Sequence, residues 1–170
     1  MRSFTLVLCL IASTAAAQEP VPTVPESTHA ETIALPVPPT LEQLRYLHGL
    51  RTAGRGVAQL KDGVNRVSGY RRDPVRFKPA VRRLAGLCGT AHGFMTSGRR
   101  EMQATAYEDS TKLMAHRLTV QVDSLIRSTP ICELNASRQP DSTVAGLLTR
   151  LRAYEAALRD FRAAIGLPNR

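Results

Sequence analysis

The chain has 170 residues, with 23 basic and 14 acidic side chains, three Cys and no Trp. That length suits one domain and excludes a repeat array or a large two-domain enzyme. At 43 % hydrophobic, 22 % charged and only 5 % aromatic residues, the chain is neither collagenous nor wholly disordered, and its core has to be aliphatic.

The first 17 residues read as a secretory signal peptide. Arg2 supplies a positive start, Phe4 to Ala12 an apolar run too short to span a bilayer, and Ala15-Ala16-Ala17 the small residues of a cleavage site. Cys9 lies in the middle of the apolar run behind Leu8, which argues against a lipoprotein signal. The expected mature chain then carries 22 basic and 14 acidic side chains, has no transmembrane segment, and resides in the periplasm or outside the cell. It keeps two cysteines, Cys88 and Cys132. In an oxidising compartment an isolated pair reads as one disulfide, and closing that loop contributes about 4 kcal/mol in the chain-entropy model. Two buried thiols or a bridge between chains are the alternatives.

Residues 18–39 hold six of the 11 prolines together with Glu19, Glu26 and Glu31, which predicts a disordered, solvated leader. Glu26 and His29 have the spacing of di-iron bundle ligands but no helix to present them.

Thr40 and Gln43 form a capping box. From there Leu41, Leu44, Leu47, Leu50, Val57, Val64 and Val67 recur at helical spacing, predicting a helix over about 41–72 that ends at Arg72-Asp73-Pro74. A second helix over about 74–97 carries the heptad seam Phe77, Val81, Leu84, Cys88, Ala91, Met95, Gly98 and Met102, with a break expected near Thr96–Gly98. A third, over about 100–128, has the stripe Tyr107, Met114, Leu118, Val122 and Leu125, and Thr129-Pro130 is expected to close it. Residues 129–140 then form a loop holding Cys132. Asp141 or Ser142 caps a fourth helix over about 142–165, whose stripe runs Val144, Leu148, Leu151, Tyr154, Leu158, Phe161 and Ile165. Asp62/Arg66, Asp123/Arg127 and Glu155/Arg159 add i,i+4 pairs. The fold class is therefore all-α: an antiparallel up-down four-helix bundle over residues 40–170 behind the disordered Pro-rich leader.

Glycine is frequent inside the first two helices, where each costs about 1 kcal/mol against alanine. Gly49, Gly56 and Gly63 are seven apart, as are Gly86 and Gly93, with Gly89 four before Gly93. This spacing suggests a close-packed seam.

Catalytic patterns are missing: there is no nucleophile elbow, no Cys-x-x-Cys, no His-Glu-x-x-His and no phosphate loop. The expectation is a protein that is not an enzyme and has no resident cofactor. If the second and third helices pair about residue 104, His92 and His116 fall at one height, which would suit haem or copper; that is the alternative reading. The stronger binding signal is basic. Arg71, Arg72, Arg76, Lys78, Arg82 and Arg83 lie within 13 residues, opposed only by Asp73. Such a patch attracts anionic polymers, lipid headgroups or an acidic protein, whereas nucleic acid is an unexpected partner outside the cytoplasm. Asn135-Ala136-Ser137 is a potential N-glycosylation acceptor. A secreted effector acting on a host protein is a third class. Arg45-Tyr46-Leu47-His48 resembles the Arg-x-Leu-Arg element of oomycete secreted effectors, but it departs at the last position and no Glu-Glu-Arg follows, so membership is not inferred.

Overall fold

The computed structural model describes residues 38–167. The signal-peptide reading and nearly all of the leader therefore lie outside the described residues. Four helices pack against one another: α1 (Leu41–Gly69), α2 (Pro74–Glu101), α3 (Asp109–Asn135) and α4 (Pro140–Ala164), with a short 3₁₀ turn at Ala104–Ala106. No strand occurs among the described residues.

The starts of α1 and α2 are written in the sequence. Thr40 Oγ1 accepts from Gln43 N at 3.2 Å, and Thr40 N donates to Gln43 Oε1 at 3.0 Å. Asp73 accepts from the backbone of Val75 (3.0 Å) and Arg76 (3.1 Å), and Pro74 takes the first helical position, where a missing N–H costs nothing. In α4, Pro140 occupies that same position and starts the helix before Asp141 and Ser142, so neither of these is the cap.

The largest correction concerns α3. It begins at Asp109 rather than near residue 100 and runs through Pro130 to Asn135, so Cys132 sits on a helix and not in a loop. A proline inside a helix removes one N–H and leaves the carbonyl four residues back without its donor. Here that carbonyl belongs to Ile126, and the Thr129 hydroxyl donates to it at 2.8 Å. Thr129 has no exposure, and its oxygen lies 2.8 Å from His92 Nδ1 on α2. Because the hydroxyl proton is committed to Ile126, the imidazole Nδ1–H donates to Thr129. A relay from His92 through Thr129 to Ile126 thus closes the gap that Pro130 opens. The expected break near Thr96–Gly98 is absent, because Gly98 is buried in the contact with α1. The chain turns instead at residues 102–108 and enters α3 through Asp109, whose φ of +48° is left-handed; Asp tolerates that region better than most side chains.

The helices are antiparallel neighbours, and the α1–α2 register is set by small residues. A Cβ added to Gly49 would stand 2.5 Å from the Gly98 carbonyl. One added to Gly56 would stand 2.7 Å from the Ala91 carbonyl, and one at Gly63 would stand 2.8 Å from Leu84 Cδ1. Each step of seven on α1 meets a step of seven on α2, so the seam is real for this helix pair. It does not extend to Gly86 or Gly93, around which a Cβ would find open space, and Gly89 meets only the Glu133 carboxylate at 3.3 Å. Leu41 and Leu44 point outward, whereas Tyr46, Ala53 and Leu60 fill the core, because the glycine face rather than the leucine row turns toward α2.

The second pair, α2–α3, is held by the Cys88–Cys132 disulfide, with Cα atoms 6.1 Å apart and 44 residues of separation. On the same side Arg99 Nε donates to Asp123 at 2.8 Å, so Asp123 pairs across helices rather than with Arg127. Glu155 likewise takes Lys61 of α1 (2.6 Å) in place of Arg159. The end of the bundle away from the α1–α2 turn is closed by three rings, Tyr46, Tyr107 and Phe161, with centroids 5.2–5.3 Å apart. The Tyr46 hydroxyl donates to the Ala115 carbonyl at 2.9 Å.

Two outcomes follow. Thr129→Val keeps the shape but leaves the Ile126 carbonyl and the His92 N–H unpaired, and should cost about 1–3 kcal/mol in chemical denaturation, while Thr129→Ser should recover most of that loss. The second outcome concerns alkali. Burial pushes Tyr46 and Tyr154 up to about 12 from an ordinary value of 10.0. A raised phenol holds its proton longer when folded, so the stability tied to it is complete below pH 10 and declines as pH rises toward 12. Tyrosinate absorbance from these two rings should appear together with loss of the folded near-UV dichroism. Their ionisation near pH 10 in an intact fold would contradict the buried placement.

Candidate functional site

The antiparallel arrangement brings the α1–α2 turn, the first turns of α2 and the α3–α4 turn to one end of the bundle. All six basic residues singled out above, Arg71, Arg72, Arg76, Lys78, Arg82 and Arg83, are exposed there. Three carboxylates accompany them: Asp73, Asp141 and, in the last turn of α3, Glu133, which lies against Gly89. Asp73 is occupied by the backbone at the start of α2 and by Arg76 Nε at 3.4 Å. Asp141 receives Arg71 at 3.3 Å. The Arg76 guanidinium also lies over the Tyr70 ring, 5.7 Å from its centroid. Arg72, Lys78, Arg82 and Arg83 enter none of the ion pairs among the described residues. From Pro74 to Arg100, α2 carries no acidic side chain at all.

Helical spacing sorts these cations into two rows. Arg76 and Arg83, seven apart, stand on the flank of α2 nearer α1, where they line a groove with Tyr70, Val75 and Pro79. Lys78 and Arg82, four apart, stand on the other flank. There they edge a cleft of 470 Å³ whose remaining walls are Phe77, Val81, Ser137 and Pro140. That cleft combines two unpaired cations, one hydroxyl and an apolar floor. The opposite end of the bundle has different chemistry. A cleft of 630 Å³ there is lined by Leu47, Tyr107, Ile165 and Leu167, with the carboxylates of Glu108 and Asp109 on its wall.

The structure does not bring His92 and His116 together. The α2–α3 pairing runs through Cys88–Cys132, His92–Thr129 and Arg99–Asp123, so the helices pair about residue 110 and not 104. The contact partner of His92 is 13 residues beyond His116, roughly 20 Å along the helix axis. His92 supports the proline gap in α3, and His116 is exposed on its own helix. Among the described residues no three His, Cys, Asp or Glu side chains are grouped to hold a metal ion. The glycosylation acceptor Asn135 ends α3, next to a fully buried Ala136.

Sequence reasoning found the cations and the disulfide but missed Thr129, whose role depends on the helix running past Pro130. It also missed two exposed apolar side chains. Val75 is 80 % exposed and Leu134 71 %. Val75 lines the groove of Arg76 and Arg83, and Leu134 stands in the last turn of α3.

No helix among the described residues is long and apolar enough to cross a membrane. No family model, no curated protein and no solved structure matches the chain.

Proposed function

We propose that the protein is an exported, non-enzymatic binding module that uses the basic end of its bundle to hold an anionic partner. The observation that carries this reading is the group of four exposed cations, Arg72, Lys78, Arg82 and Arg83, which have no carboxylate partner among the described residues and sit on a helix free of acidic side chains through Arg100. Like charges held this close repel one another and raise the local positive potential, and an external anion relieves both effects. Export is supported by the signal-like first 17 residues and by a disulfide of the kind that persists in oxidising compartments.

The test is salt elution from an immobilised polyanion, heparin. Lys78→Gln/Arg82→Gln/Arg83→Gln should elute at clearly lower salt than Arg45→Gln/Arg51→Gln/Arg55→Gln, which removes the same charge from exposed positions on α1. Equal shifts for the two triple variants would mean that only net charge matters and would defeat the localised site.

A further inference from the structure

We infer that the anionic partner is a small amphiphilic anion, an oxyanion head carried on an apolar chain or ring, and that it occupies the cleft edged by Lys78 and Arg82. This deepens the anion-binding reading and rests on it.

Two cation-lined hollows flank the start of α2, and they differ in how free their cations are. In the groove nearer α1, Asp62 holds Arg66 at 2.9 Å, and Arg76 is shared between Asp73 at 3.4 Å and the Tyr70 ring. In the cleft on the other flank, Lys78, Arg82 and the Ser137 hydroxyl have no side-chain hydrogen bond or ion pair among the described residues. None of the residues lining that cleft is acidic. Lys78 and Arg82 are four apart, about 6 Å along the helix axis, which is within reach of two long side chains closing on one head group. A guanidinium fork and an ammonium together match an oxyanion with two or three oxygens. The rest of the cleft is apolar. Val81 is buried, Phe77 and Pro140 are half-buried, and the volume is 470 Å³, inside the range of about 300–1,000 Å³ that small-molecule sites occupy. Such sites combine mostly apolar and aromatic walls with a few polar groups that fix the ligand's orientation. A polyanion uses this cleft poorly, because its charges and hydroxyls are spread along the chain, and those laid over Phe77 and Val81 would lose water without gaining a partner. A bare inorganic anion takes the cations and leaves the apolar floor in water. An anion with an apolar body answers both, since its head relieves the two unpaired charges while its body covers the floor.

The test is calorimetric titration of the disulfide-bonded protein with four probes: submicellar decanoate, 2-naphthoate, decanol and acetate. At least one of the two apolar acids should bind with one-to-one stoichiometry. Decanol, which lacks the charge, and acetate, which lacks the body, should each bind at least roughly tenfold more weakly than that acid. Lys78→Gln/Arg82→Gln should weaken the acid roughly tenfold or more, whereas Arg76→Gln/Arg83→Gln, in the other groove, should leave it unchanged. Ser137 is exposed in the turn between α3 and α4, so Ser137→Trp obstructs the cleft without entering the core. It should weaken the acid about tenfold and leave elution from heparin unchanged, with the thermal unfolding midpoint confirming an intact fold. Retention on heparin with neither acid bound would overturn the amphiphile inference and leave the anion-binding proposal standing. Acid binding that decanol equals, or that ignores Lys78→Gln/Arg82→Gln or Ser137→Trp, would also overturn it. Failure on both heparin and the acids would remove the anion-binding proposal itself.

Discussion

The close approach of α1 and α2 is the constraint on which the rest of the bundle depends. At Gly49 and Gly98 the two backbones come so near that neither position has room for a methyl group. Such proximity fixes three things at once. It sets the antiparallel register, since Gly49, Gly56 and Gly63 must face Gly98, Ala91 and Leu84. It decides which face of α1 is buried, turning Leu41 and Leu44 outward and Tyr46 and Leu60 inward. It also carries α2 past Gly98 to Glu101, which moves the turn into α3 further along the chain. Each glycine gives up about 1 kcal/mol of helix propensity, and the interdigitated packing between the helices offsets that loss.

The second half of the bundle is attached by different means. Along α2–α3 the disulfide, the Arg99–Asp123 pair and the His92–Thr129 bond follow one line of contact. The relay into the Ile126 carbonyl lets α3 continue through Pro130, and without that continuation Cys132 would not be presented to Cys88 from a helix. These fixings run from the disulfide, near the end of α3, to Arg99 in the last turn of α2. At the basic end, Arg72, Lys78, Arg82 and Arg83 are exposed and enter none of the ion pairs among the described residues. Stability here comes from the apolar core and a covalent link, which salt does not screen.

Much of this architecture was legible in the sequence because amphipathic helices announce themselves locally. The capping box at Thr40, Pro74 at the first position of α2 and the heptad from Val81 to Met102 each depend on residues a few positions apart, and each lies where expected. What the sequence hid was long-range. Pro130 looks like a terminator unless the Thr129 hydroxyl and His92, 37 residues apart, are known to meet. His92 and His116 look like a pair only under a register that the disulfide excludes. Glycines at the same seven-residue interval serve packing at Gly49 and Gly56 and nothing visible at Gly86 and Gly93, because periodicity gives a face but not its neighbour. For the site, the charges could be read directly, whereas the exposure of Val75 and Leu134 could not, since the sequence puts Leu134 in a loop and shows no neighbours for Val75.

The register, the turn into α3 and the convergence of the basic end all derive from the α1–α2 seam. Chemical denaturation of four single variants tests it most directly. Gly56→Ala and Gly98→Ala should each lose about 1–3 kcal/mol, as the added methyl group forces two backbones apart. Gly54→Ala and Gly93→Ala meet open space and should each gain up to about 1 kcal/mol from helix propensity alone. Four shifts of the same sign and size would show that α1 and α2 do not meet along this face, and would contradict the fold described.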